Sequence, residues 1–111
     1  MKKKLIIVIL FILTIPINTQ AAGTFFVKDY DLLKGTEAFE FWISGVEDGF
    51  AWANVVTNNK LYCPPQKLAL NKKNLLRILD DYIKNNKSSL DPEFPITSIL
   101  YLALADVFPC E

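Results

Sequence analysis

Two cysteines, Cys63 and Cys110, constrain this chain more than any other feature. Cys63 stands in the run Tyr62-Cys63-Pro64-Pro65 and Cys110 closes the run Phe108-Pro109-Cys110. At the start of the chain, Lys2, Lys3 and Lys4 precede an apolar stretch from Leu5 to Ile15 that only Thr14 interrupts. Pro16 and then Asn18-Thr19-Gln20-Ala21 follow. Positive charge, an apolar core and a small residue at the cut is the order of a signal peptide. Residues 1–21 are therefore expected to be a cleaved leader, and residues 22–111 one exported domain. The apolar stretch falls well short of the about 20 residues that a membrane anchor needs. Both thiols would then reach an oxidising compartment, where two cysteines most simply form one bridge. The expectation is a soluble exported domain tied by Cys63–Cys110, with no stable membrane anchor.

That tie matters because the domain is small. A core of about 90 residues is only marginally stabilising. Closing a loop of roughly 50 residues contributes on the order of 4 kcal/mol in the chain-entropy model, against the roughly 5–15 kcal/mol that a small domain has in total. Charge narrows the partners. The leader holds three of the twelve basic residues, so residues 22–111 carry nine against twelve acidic ones, a net charge of −3. Such a balance argues against nucleic-acid binding, and there is no basic amphipathic stripe of the kind that lies on membranes.

The apolar spacing reads as helix throughout. Phe25, Phe26 and Val27 suggest an extended arm, and Tyr30, Leu32 and Leu33 a short helical turn that Gly35 ends. Thr36 is an acceptable N-cap for the longest helix, running to about Asn58, with Glu37 in its first turn where the dipole favours acids. Phe39, Ile43 or Trp42, Val46, Phe50 and Ala53 recur on one side of it. Gly45 and Gly49 each weaken a helix by about 1 kcal/mol relative to alanine, which predicts a second helix approaching closely there. Lys60 to Leu70 reads as a loop that Pro64-Pro65 stiffens. Asn71 caps a second helix over Lys72 to Asn85, with Leu75, Leu76, Leu79, Tyr82 and Ile83 as its buried stripe. Arg77, Asp80, Asp81 and Lys84 fall on its wet side, where Arg77–Asp81 and Asp80–Lys84 have i,i+4 spacing. Pro95 fits the first turn of a third helix. Ile96, Ile99, Leu100, Ala103, Leu104 and Val107 make that helix the expected core element, and Pro109 stops it. No strand alternation persists. The fold class is all-α, a small disulfide-bonded helical bundle.

The chemistry available to such a chain is limited. It has no histidine, which removes the commonest general base and metal ligand and any Ser-His-Asp or Cys-His pair. Two distant cysteines make neither a zinc pattern nor a CxxC redox pair, and no glycine-rich phosphate loop occurs. No catalytic residue, metal ligand or cofactor site is expected. Glu47-Asp48 and Asp80-Asp81 are neighbours in sequence and diverge on a helix; a solvated face is the ordinary explanation. The functional alternative makes Glu47 and Asp48 an acidic patch that speeds association with a basic partner. Trp42 and Trp52 are either core fillers or interface anchors, with core packing favoured more for Trp42 than for Trp52. Asn54 is either an internal contact or a hydrogen bond to a partner. The polar loops Asn58 to Leu61 and Lys84 to Asp91 are candidate contact loops. Together, Glu47, Asp48, Trp52, Asn54, Asn58 and Asn59 are the candidate partner-binding residues.

An ordered set of segments carries a resemblance: Ile43-Ser44-Gly45-Val46-Glu47-Asp48-Gly49, Trp52-Ala53-Asn54, Tyr62-Cys63-Pro64-Pro65, the amphipathic helix from Leu76 to Ile83, and Ala103-Leu104-Ala105-Asp106-Val107-Phe108-Pro109-Cys110. From Phe39 to Cys110 the chain resembles the Rap/Tai family of periplasmic immunity proteins of Gram-negative bacteria. Members are helical and disulfide-bonded, and characterised ones neutralise toxins of the type VI secretion system, especially cell-wall amidases. The resemblance implies a periplasmic protein, possible as a homodimer, whose partner is a cognate toxin that it binds and occludes without chemistry of its own. Some members have a further cysteine pair, for which this chain has no residues; residues before Phe39 match no part of the pattern. A different class remains open: a small periplasmic acid-stress chaperone, also short, exported, helical and singly bridged, which releases apolar surface when acid neutralises its carboxylates. An accessory subunit of an envelope complex is a third option.

Overall fold

The computed structural model describes residues 24–65 and 70–111. The expected leader over residues 1–21 lies outside the described residues. The described chain is all-α. A short 3-10 turn, Val27–Asp29, runs into α1 (Tyr30–Leu33); α2 (Glu37–Val56), α3 (Lys72–Asn85) and α4 (Ile96–Val107) follow. No strand occurs among the described residues, only an isolated antiparallel bridge between Phe26 and Pro95. None of the described helices is long and apolar enough to cross a membrane.

Local chemistry sets the helix boundaries. Gly35 has φ +85°, a conformation that glycine adopts without the Cβ clash of other residues, and it turns the chain out of α1. The Thr36 hydroxyl then accepts from the Phe39 N–H at 3.3 Å and donates to the Leu33 carbonyl at 2.7 Å, joining the end of α1 to the start of α2. Asn71 caps α3 in the same way, accepting from the Asn74 N–H at 2.9 Å. These are the two caps that the sequence predicts. α4 differs: Pro95 is the N-cap residue, extended at ψ 135°, rather than part of the first turn, and it offers no side-chain bond. The Phe25 carbonyl accepts from the Ile96 N–H at 2.8 Å instead. The N-terminal arm thus satisfies an orphan donor at the start of α4.

The core lies where α2, α3 and α4 meet. Phe39 and Ile43 of α2, Leu75 and Leu79 of α3, and Ile99, Leu100 and Leu104 of α4 are almost wholly excluded from solvent. The α3 stripe differs from the expected one. Ile78 is buried, while Leu76 and Tyr82 are only half-buried, because the interface centres on the Leu75-Ile78-Leu79 side. Asp80 is not confined to the wet side either: its carboxylate accepts from the Tyr30 hydroxyl at 3.0 Å. Val107 is exposed at the last turn of α4, past the part of that helix that its neighbours cover. Both expected α3 ion pairs form, Arg77–Asp81 at 3.4 Å and Lys84–Asp80 at 2.6 Å. The polar loop begins at Asn86, since Lys84 and Asn85 belong to α3.

The largest correction concerns the glycines of α2. Among the described residues no neighbouring helix approaches them. Gly45 and Gly49 are both exposed, and a Cβ at either position would meet nothing within 4 Å. Phe39, Ile43 and their neighbours turn the opposite side of the helix to the core.

Candidate functional site

The second half of α2 and the segment after it form a corner held by four distinct ties. Helix α2 ends at Val56, and the chain doubles back through residues 57–62. Asn54 fixes the return. Its amide nitrogen donates to the Tyr62 carbonyl at 2.9 Å, and its amide oxygen accepts from the Leu61 N–H at 2.6 Å. Tyr62 drops into the core, and its hydroxyl donates to Glu47 Oε1 at 3.1 Å. One residue later the Cys63 N–H donates to the Phe108 carbonyl at 2.8 Å. The Cys63–Cys110 disulfide closes the corner, with S–S 2.05 Å and Cα atoms 5.0 Å apart.

The electrostatics follow from burial. Desolvation raises the Glu47 pKa above its ordinary value; the bond from Tyr62 opposes this, and the charge of Asp48 adds to it. Burial also raises the Tyr62 hydroxyl, reinforced by Glu47. Tyr62 is accordingly protonated near neutrality and donates to a carboxylate that has lost much of its water. A groove of about 530 Å³ lies beside this pair, with Glu47, Asn54, Val55, Lys60 and Pro64 in its walls. Among the described residues no group of three or more His, Cys, Asp or Glu side chains could hold a metal ion. The arrangement can bind and can hold its shape.

The six residues predicted from sequence divide between two faces. Glu47 and Asn54 turn inward and fasten the corner; the amide of Asn54 is engaged on both sides by its own chain. Asp48 and Trp52 face outward, and Asn58 and Asn59 are exposed in the turn after α2. Trp42 is half-buried and packs on Phe25 and Phe39, at ring-centroid distances of 4.8 and 5.7 Å. Trp52 is 68% exposed, so core packing does not describe it.

Three further residues belong with Asp48 and Trp52. Phe41, Val55 and Val56 are exposed on the same side of α2. Their spacing of 41, 45, 48, 52 and 55/56 marks one helical stripe and could have been read opposite the buried one. Tyr62 was also missed, because its partner Glu47 lies in another element and sequence spacing gives no sign of that contact. Comparison of this chain with protein-family models, with curated proteins and with solved structures gives no match.

Proposed function

We propose that this chain is an exported immunity protein of the Rap/Tai type, which protects by binding a cognate envelope hydrolase, such as a cell-wall amidase, and occluding its catalytic cleft. One observation carries the reading. Four of the five segments that bear the resemblance are stitched to one another at a single corner: Glu47 and Asn54 to Tyr62, and Cys63 to both Phe108 and Cys110. The shared pattern is thereby a spatial unit rather than a scatter of short matches. A corner locked in this way loses little conformational entropy on binding. Protection of this kind needs slow dissociation and no reaction by the inhibitor, which suits a chain without histidine.

The test is protection. The full-length gene, leader included, is expressed in a susceptible Gram-negative host, and any secreted hydrolase found encoded beside it is directed to the periplasm. Survival with the intact gene, and lysis with a leaderless version, is the expected result. Lysis in both cases rejects the reading.

A further inference from the structure

The outward face of α2 is apolar where a lone helix on a small domain is normally polar. Phe41, Trp52, Val55 and Val56 are between 64% and 73% exposed, and they line one side of the helix over about 22 Å at 1.5 Å per residue. Soluble monomers seldom leave an apolar patch of this extent unless something binds it. Between the large side chains the helix surface is cut back to backbone at Gly45 and Gly49, with open space where each Cβ would stand. Two glycines in mid-helix cost roughly 1 kcal/mol each relative to alanine, and no packing within the described chain offsets that. A notch flanked by bulky apolar groups admits another backbone closer than the usual helix spacing of about 8–10 Å.

Charge identifies the occupant. Helix α2 carries Glu37, Glu40, Glu47 and Asp48 and no lysine or arginine. Glu40 is paired with Lys72 at 3.1 Å, whose ammonium also sits 5.3 Å from the Phe41 ring, and Glu47 is bonded to Tyr62. Asp48 lies on the exposed face beside the notch, and no ion pair to it occurs among the described residues. A second copy of the chain is a poor occupant. Any two-fold contact centred on the glycines brings two Asp48 carboxylates together with no basic residue of either α2 to separate them, and like charges in a contact are unfavourable. The geometry points to a different protein: the Phe41-to-Val56 face docks an apolar element that carries a lysine or arginine against Asp48, its backbone seated at Gly45 and Gly49. This deepens the immunity reading by naming its interface, and the identity of the partner as a toxin rests on that reading.

Photo-cross-linking in native cells tests it, with p-benzoylphenylalanine in place of Phe41 or of Trp52 and, as a control, of the exposed Lys73 on α3. Both α2 positions should join the same second protein and Lys73 should not. The mapped attachment point should lie among apolar residues within about four positions of a lysine or arginine, one helical turn. Asp48→Lys should lower the yield about tenfold or more, as like charges in a contact do, and Asp48→Asn by less. Gly45→Ala with Gly49→Ala should lower the yield while raising the thermal midpoint of the protein alone, which separates lost docking from lost folding. An adduct between two copies, no adduct, equal labelling at Lys73, or a yield indifferent to Asp48→Lys overturns the assignment. A partner with the stated chemistry that is not a hydrolase leaves this interface standing and removes the immunity reading. Protection from a hydrolase with no labelling on α2 does the reverse.

Discussion

The two ends of the described chain are fastened to the same core by different means. The N-terminal arm is held without a covalent bond. Its backbone pairs with the segment before α4, Val27 N–H to the Phe94 carbonyl and Lys28 N–H to the Pro92 carbonyl, both at 3.0 Å. Phe25 stacks edge-on against Phe39 and Trp42, and Tyr30 against Phe39. The segment after α4 has one half-buried ring, Phe108, and a single backbone bond to Cys63 before the disulfide. An arm with several aromatic side chains is held by burial at about 25 cal/mol per Å². A tail with one such group cannot be, and a covalent bond does the work there.

That contrast predicts an order of effects. Replacing the bridge, as Cys63→Ser with Cys110→Ser, should lower the free energy of unfolding by on the order of 4 kcal/mol, the chain-entropy value for a loop of this size. Urea titration with and without reductant measures it, and equal midpoints would show that the tail is held by packing after all. Phe25→Ala should follow at about 2–3 kcal/mol, below the full cost of a buried phenylalanine because the ring is half-exposed. Its signature in hydrogen exchange is early loss of protection at the Ile96 amide, with the Cys63 amide unchanged. Tyr30→Phe removes only the bond to Asp80 and should cost about 1 kcal/mol, again loosening the arm alone.

Acid should separate the two ends further. The ammonium of Lys84 holds the Asp80 carboxyl below its ordinary 3.8, and the Tyr30 hydroxyl contributes in the same direction. A carboxylate depressed in the folded state adds stability that is complete above the unfolded value and lost as pH falls through the folded one. Below pH 3.8 the hold on the arm through Tyr30 should therefore weaken, while the disulfide is indifferent to protonation. The change is small because the Lys84 ammonium that holds Asp80 down is mostly exposed, so water screens the pair. NMR protection factors at pH 2.5 and pH 7 measure it, and loosening of both ends in step would contradict it.

Much of this is legible in the sequence. The three long helices follow from apolar spacing, and Thr36 and Asn71 cap where expected because a side-chain cap acts over three residues and needs nothing distant. Ile96, Ile99, Leu100, Ala103 and Leu104 announce a core helix by the breadth of their apolar surface. The misreadings share one cause. Periodicity says which residues lie together on a helix but not what stands opposite them. It suggests a neighbouring helix at Gly45 and Gly49, where the described residues leave open space, and puts Asp80 on the wet side with Lys84, where Tyr30 also reaches it. Trp42 and Trp52 are chemically alike and ten residues apart on one helix, and only the position of Phe25 and Phe39 separates a packed ring from an exposed one.

By itself the sequence determined the three long helices, the caps at Thr36 and Asn71 and the all-α class, since those depend on interactions within a few residues. It also restricted any disulfide within the chain to Cys63–Cys110, because only those two thiols exist. Tertiary structure alone decided that Glu47 and Asn54 serve the corner at Tyr62, that the arm caps α4, and that one side of α2 stays uncovered. Each of these depends on which distant surfaces meet, and that is set by the joint packing of three helices rather than by the pattern of any one.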